Sequence, residues 1–378
     1  MIQPPVHAPR PHRLRRRIAL LLALAVATAG GACGGSSGTV HFGMAGPFDE
    51  GFGIANQDGA VLAMEEINAA GGIDGDSLVI DFQNDSGDGA RAAAIAQRFV
   101  DDARVSAVVG HVTSGAMLAA VKVYDGHLAA VATTASSAEL TGISRWAFRV
   151  ISSDSANGVD LARFAKRLGK RRVAVLYEND AYGRGLADNF RRNFDGEILA
   201  LDPMDADASH AEVYVAWLAQ RRPDLVFVAG TERSGIALMR EARRQQFAVD
   251  FLGGDGWTGV VADPVAAEGA YVGAPFTPLD PRPEAQRFVD AYRTRFHAEP
   301  DGNAALAYDA VQLLAAAVRA VGTDRTRIRA WLADRTTERA FPGVTGAIAF
   351  LPSGDPIGKS FTMARVTAGR LTLAESAR

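Results

Sequence analysis

The chain has 378 residues, 48% of them hydrophobic and 22% charged, an ordinary globular composition with room for two domains of roughly 100–200 residues each. Five arginines fall between Arg10 and Arg17, and the part beyond residue 38 keeps 35 basic against 43 acidic residues, a formal charge of −8. An acidic body argues against a nucleic-acid partner, and a single cysteine, Cys33, excludes an internal disulfide.

The first readable element is an export signal. The arginines precede Ile18–Ala29, an apolar run of twelve residues that fits the core of a signal peptide and is too short to span a bilayer. This predicts a signal peptide over residues 1–32 and a flexible Gly/Ser linker through residue 38. Gly30-Gly-Ala-Cys33 resembles the lipobox of bacterial lipoproteins, which implies that Cys33 is acylated and anchors the protein to a membrane. Gly30 stands where that motif prefers leucine, and ordinary cleavage leaving a free thiol is the alternative reading.

Beyond the linker, short β-rich runs alternate with amphipathic helices. Strands are predicted at Val40–Ala45, Leu78–Phe82, Val105–Gly110 and Ala129–Thr133, with helices near Gly53–Ala69, Ala90–Asp102 and Gly115–Tyr124. A second series follows: strands Arg172–Tyr177, Glu197–Leu201, Leu225–Ala229 and Phe251–Leu252, with helices near Ala156–Leu168, Gly185–Phe194, Ala211–Gln220 and Gly235–Gln246. Such alternation predicts α/β architecture, with doubly wound parallel sheets covered by helices on both faces. The restart after about 130 residues predicts two similar lobes. Helices at Pro283–Phe296 and Asn303–Ala320 come next, then strands at Thr345–Phe350, Ser360–Val366 and Arg370–Leu373.

In open parallel sheets, ligands bind at the carboxyl ends of the strands, where helix N-termini offer free N–H groups. Five such turns stand out: Gly46–Gly53, Gly110–Gly115, Thr133–Glu139, Glu178–Gly183 and Gly253–Trp257. They carry Ser, Thr, Tyr and Asp, which hold a ligand without transforming it. Beyond residue 38 the chain lacks an HExxH zinc pattern, a GxSxG elbow and a phosphate loop. No cofactor, metal or catalytic residue is therefore expected.

At these turns the chain resembles the bacterial periplasmic binding proteins for leucine, isoleucine and valine. The resemblance runs from about Val40 to Val366 and is carried by Glu65-Glu-Ile-Asn-Ala-Ala-Gly-Gly-Ile73, Gly110-His-Val-Thr-Ser-Gly-Ala116, Glu139-Leu-Thr141, Tyr182-Gly-Arg-Gly185 and Ala307-Tyr-Asp-Ala310. It implies a type I periplasmic-binding fold, whose chain crosses between lobes three times. The crossings are expected near Ile151–Ser153, Pro275–Thr277 and Gly343–Gly346, giving one lobe of residues 39–151 plus 277–343 and another of 152–276 plus 344–378. The resemblance further implies a monomer that captures a small amino-acid-like ligand and delivers it to an ATP-driven permease. A sensor of the same fold, reporting amides, urea-like compounds or aromatic acids to a receptor or regulator, is the rival reading.

Each candidate residue has a plain reading beside the functional one. Ser114 can cap the helix that it opens, and the resemblance places it on the ligand's carboxylate. Ser136 and Glu139 have the spacing of a capping box, while the resemblance puts Ser136 on the ligand's carboxylate or amine and gives Thr134 a backbone contact. Tyr182 either covers the ligand or packs at a lobe edge. Asp255 sits in Gly253-Gly-Asp-Gly256, which is turn chemistry by itself; the family commonly has glutamate there, paired with the ligand's ammonium. Phe52 matches a side-chain-pocket aromatic and reads equally as core. Thr231 stands where close relatives carry tyrosine, opening a space that Trp257 could refill. Asp85 and Tyr308 match family positions read as structural.

Overall fold

The computed structural model describes residues 1–3 and 38–374. The expected signal peptide and the expected acylation of Cys33 lie outside the described residues.

The first lobe is built from β1 (Thr39–Gly46), α1 (Gly51–Ala69), β2 (Ser77–Asn84), α2 (Gly89–Asp101), β3 (Val105–Gly110), α3 (Ser114–Tyr124), β4 (Ala130–Ala132) and β5 (Ala147–Arg149). Its five strands are parallel in the order β2-β1-β3-β4-β5. Every residue of the central β3 is buried, as a strand covered on both faces requires. The edge strand β2 alternates at its start, burying Leu78 and Ile80 between exposed Ser77, Val79 and Asp81.

The second lobe repeats the plan with α4 (Asp154–Arg167), β6 (Arg172–Glu178), α5 (Ala181–Asn193), β7 (Glu197–Met204), α6 (Ala211–Arg221), β8 (Leu225–Ala229), α7 (Glu232–Arg244), β9 (Asp250–Gly253), the one-turn α8 (Pro264–Ala267) and β10 (Tyr271–Ala274). The order β7-β6-β8-β9-β10 mirrors that of the first sheet, and all five residues of β8 are buried. Both orders reverse direction next to their first strand, between β1 and β3 and between β6 and β8. A doubly wound sheet opens a crevice at that point, beyond the strands' carboxyl ends.

The chain returns to the first lobe through Phe276, which packs edge-on against Phe288 of α9 (Pro283–Phe296). Next come α10 (Gly302–Val321), α11 (Arg325–Ala333) and the small pair β11 (Phe341–Gly343) and β12 (Gly346–Ile348). Helix α10 is long and apolar enough to cross a membrane, but here it is a core helix that packs Leu306, Leu313 and Leu314 beneath the first sheet. The chain ends as the antiparallel hairpin β13 (Thr362–Thr367) and β14 (Arg370–Leu373), added to the second sheet beside β10.

Three differences from the sequence expectations have simple causes. Strands β5 and β10 were not anticipated, because three or four residues are too short to show a period. Helix α11 was missed because only Ile328 and Leu332 of its nine residues are buried. The third crossing lies later than Gly343–Gly346. Ile348 and Phe350 pack into the core of the first lobe, and Asp355 pairs with Arg149 of β5, so residues 344–355 belong to that lobe. Phe361 is the first residue after them to join the second lobe's core.

Asp85, which follows β2, anchors a buried chain of polar groups. Its Oδ2 lies 2.6 Å from His111 Nδ1, and His111 Nε2 lies 3.0 Å from the Tyr124 hydroxyl; none of the three side chains reaches solvent. Asp85 Oδ1 also accepts the Gly87 N–H at 2.9 Å. Tyr308, the other position read as structural, donates to Glu66 Oε2 at 2.5 Å. Replacing His111 with leucine leaves a carboxylate buried without its partner. His111→Leu is expected to lower unfolding stability by about 3–5 kcal/mol, measured by urea denaturation.

Candidate functional site

The turns after β1, β3 and β4 face those after β6, β8 and β9 across the cleft. Phe52, Val112, Thr113, Ser114 and Thr134 from one side and Asp180, Tyr182, Thr231, Asp255 and Gly256 from the other line a cavity of about 60 Å³, together with Asn303. A wider cup of about 530 Å³ lies at the opposite end of the second sheet, among Asp224, Asp250 and Arg365, away from the carboxyl ends of the parallel strands. The smaller cavity is the candidate because it sits where both sheets direct their helix N-termini.

The first-lobe wall presents hydroxyls and helix-end N–H groups. Thr113, not Ser114, occupies the N-cap position of α3, and its side chain makes no cap bond. The Thr113 hydroxyl is buried and without a partner among the described residues. Ser114 opens the helix, and its Oγ accepts the Ser137 N–H at 3.1 Å, tying two strand-end turns together. The expected capping box does not form through Ser136: the hydroxyl of Ser137 accepts the Glu139 N–H at 3.3 Å, and Ser136 Oγ lies buried beside Asp154 instead. Thr134 lines the cavity and donates its hydroxyl to the Val112 carbonyl at 2.9 Å.

Arg149 braces this wall from behind. Only 3% exposed, it donates to the carbonyls of Ser136 (2.9 Å) and Ser137 (2.8 Å), to Thr141 Oγ1 (2.7 Å) and to Asp355 Oδ1 (2.7 Å). The Asp154 N–H also donates to the Ser136 carbonyl, at 2.8 Å. With both carbonyls held from this side, the 136–137 turn has one fixed orientation.

The second-lobe wall is acidic. Asp255 opens the 3-10 turn Asp255–Trp257 after β9 and is 6% exposed. Its Oδ1 accepts the Tyr182 hydroxyl at 3.0 Å, and that hydroxyl accepts the Gly256 N–H at 3.1 Å. Burial pushes the Asp255 carboxyl up to about 6, against the lowering effect of the Tyr182 bond and the backbone N–H groups of residues 255 and 256. Asp154, at the start of α4 just after the first crossing, is fully buried. Its carboxyl is pushed well above the usual range, first by burial and then by the charge of Asp255, with Ser136 and Arg149 opposing. The same burial, with Asp255 and Asp154 nearby, keeps the Tyr182 phenol protonated. Burial of both groups, and the charge of Asp255 acting on Asp154, thus favour the neutral form of each carboxyl.

Glu178, at the end of β6, holds this wall together. Its Oε1 accepts from Thr231 N, Thr231 Oγ1 and Ser234 Oγ, each at 2.7 Å, clipping the carboxyl ends of β6 and β8.

Seven of the eight expected ligand residues are therefore at or beside the cleft, and Ser136 sits just behind the cavity's wall. Trp257 is the exception. It is fully buried in the core of the second lobe, its indole filling the space that a side chain at Gly235 or Gly253 would need. The tight 255–257 turn sends residue 255 to the cleft and residue 257 to the core, so Trp257 does not refill the space beside Thr231. Sequence reasoning missed Asp154, Thr113, Asp180 and Asn303. Asp154 carried one signal, its place directly after the crossing expected at Ile151–Ser153.

Comparison with known proteins agrees with this geometry. The family model described as periplasmic binding protein matches residues 40–370. The amino acid binding protein of Pseudomonas aeruginosa is 30% identical over 331 residues, covering 82% of this chain and 87% of that protein. The same organism's leucine-, isoleucine-, valine-, threonine- and alanine-binding protein is 27% identical, with 86% and 89% covered. Among solved structures, the branched-chain amino acid transporter substrate-binding protein LivJ of Streptococcus pneumoniae, in complex with isoleucine, superposes with a TM-score of 0.83 at 30% identity, covering 89% of this chain and 99% of LivJ. A doubly wound two-lobed fold, a cleft at both switch points and a match along nearly all the described chain lead to one assignment: the protein belongs to the periplasmic binding protein family.

Proposed function

We propose that the protein is an extracytoplasmic solute-binding protein that holds a small α-amino acid between its lobes and delivers it to an ATP-driven importer. The observation that carries this reading is the charge layout of the cleft. Hydroxyls and the α3 N-terminus on one wall suit a carboxylate, and Asp255 on the other, with the buried Asp154 near it, suits an ammonium. A zwitterion satisfies both walls together. The amino acid binding protein, the leucine-, isoleucine-, valine-, threonine- and alanine-binding protein and the isoleucine complex of LivJ favour the same ligand class. In this reading Ser114, Thr113 and the 136–137 turn take the carboxylate, Asp255 takes the ammonium, Tyr182 orients Asp255, and Phe52 lies against the ligand's side chain. The cleft then only binds: no residue acts as nucleophile or general base.

Asp255 gives the direct test. Removing one partner of a buried charge pair costs about 2–5 kcal/mol, a factor of roughly 30 to several thousand in affinity. Asp255→Asn is expected to weaken an amino acid by that factor while leaving the corresponding carboxylic acid without the amine nearly unchanged. Calorimetric titration of both ligands into both proteins reads this out, and near-equal amino-acid affinities would remove Asp255 from the site.

The raised carboxyl of Asp255 adds a pH signature. An ammonium beside it favours the ionised form, so its pKa is lower in the complex than in the free protein. Binding strength is then fully present above about pH 7 and falls as the pH drops through 6. At pH 6 about half a proton per ligand should be released by Asp255, detected as a buffer-dependent enthalpy, and Asp255→Asn should reduce that release.

Membrane attachment through Cys33 and a monomeric state complete the proposal. Cys33→Ser is expected to move the protein from the membrane fraction to the soluble extract of a bacterial host. Equal membrane association of mutant and wild type would leave Cys33 a free thiol.

A further inference from the structure

Once the carboxylate and ammonium are placed, the rest of the cavity wall is left for the ligand's side chain. It has two chemically distinct halves. Phe52 and Val112 offer apolar surface. Thr231, Asn303 and the rim residue Asp180 offer oxygens.

The donors of that second half are already committed. Thr231 gives its hydroxyl hydrogen to Glu178 Oε1 at 2.7 Å, so its oxygen faces the cavity as an acceptor. Asn303, 6% exposed, donates through Nδ2 to Asp301 Oδ2 at 2.7 Å and to Thr258 Oγ1 at 2.9 Å, which leaves only its amide oxygen. Asp180 accepts the Gly183 N–H at 2.7 Å and is itself acceptor-only when ionised. No lysine or arginine lines the cavity among the described residues. Two further carboxyl groups stand close by. Glu232 at the start of α7 is raised to about 7, by burial first and then by the charges of Asp301 and Glu50. Asp301 itself is raised by burial.

A wholly aliphatic side chain would bury these acceptors against methyl groups and leave them unpaired, which is more damaging than a missing apolar contact. A side chain with one donor and one apolar branch would match both halves of the wall. We infer that the preferred ligand is an α-amino acid whose short side chain carries a hydrogen-bond donor, a hydroxyl or a carboxamide, because Thr231, Asn303 and Asp180 turn only acceptor oxygens toward it. This rests on the amino-acid reading above.

Near-isosteric pairs separate shape from hydrogen bonding. L-threonine against L-valine, and L-asparagine against L-leucine, are titrated calorimetrically into the full chain. Threonine and asparagine are expected to bind about tenfold or more tightly than their apolar partners. Thr231→Val, which keeps the volume and removes the oxygen, should shrink the threonine-to-valine ratio several-fold. Valine and leucine binding as tightly as threonine and asparagine, or more so, would overturn the inference while leaving the amino-acid reading intact. No binding of any of the four would overturn both. A threonine-to-valine ratio unchanged by Thr231→Val would overturn the role given to that oxygen.

Discussion

The cleft is governed by one constraint: Asp154 and Asp255 are both buried, and burial together with the charge of one acting on the other disfavours charging both. A cation that enters, or a proton that stays, relieves it. Much of the surrounding structure maintains this condition. Tyr182 fixes one oxygen of Asp255, and Ser136 and Arg149 moderate Asp154 without reaching into the cavity. No lysine or arginine lines the cavity among the described residues, so in the proposed function the ligand's ammonium supplies the positive charge that Asp255 lacks.

Topology makes the arrangement possible. Each sheet alone offers only a shallow crevice beside its first strand. Two such sheets facing each other's carboxyl ends turn the crevices into one shared space, with unlike chemistry on its two walls. The links between turns matter as much as the turns themselves. Glu178 joins the ends of β6 and β8, and Ser114 joins the turn after β3 to the turn after β4. In the proposed function the polar groups that meet a ligand are thereby fixed before it arrives, which reduces the ordering needed on binding.

The fold was largely readable from the amino acids, because runs such as Val173-Ala-Val-Leu-Tyr177 and Leu225-Val-Phe-Val-Ala229 can only be strands buried on both faces. The turns that build the cleft were readable for the same reason, since they follow those strands. Asp154 was not, because nothing in Ser152-Ser-Asp-Ser155 distinguishes a buried carboxyl group close to Asp255 from an ordinary helix start. Trp257 was misplaced because a three-residue turn sets side-chain direction by dihedral angles that sequence spacing does not reveal. The third crossing was set too early because residues 345–350 alternate as an edge strand would in either lobe; only the seating of Ile348 and Phe350 decides between them. The acceptor-only half of the cavity depends on where Thr231 and Asn303 send their hydrogens, a property of partners distant in the chain.

Arg149 and Asp355 have a mechanical role beyond the wall that they brace. Arg149 ends β5 just before the first crossing, and Asp355 stands just before the third, so their ion pair fastens two of the three connecting strands to each other where they leave the first lobe. Strands pinned in this way cannot slide independently. A second lobe that moved on strands so joined would swing like a door on a common pin rather than twist like a pendant on separate threads. Because the same guanidinium grips the 136–137 turn, the pin of the door and one wall of the binding site form a single rigid piece.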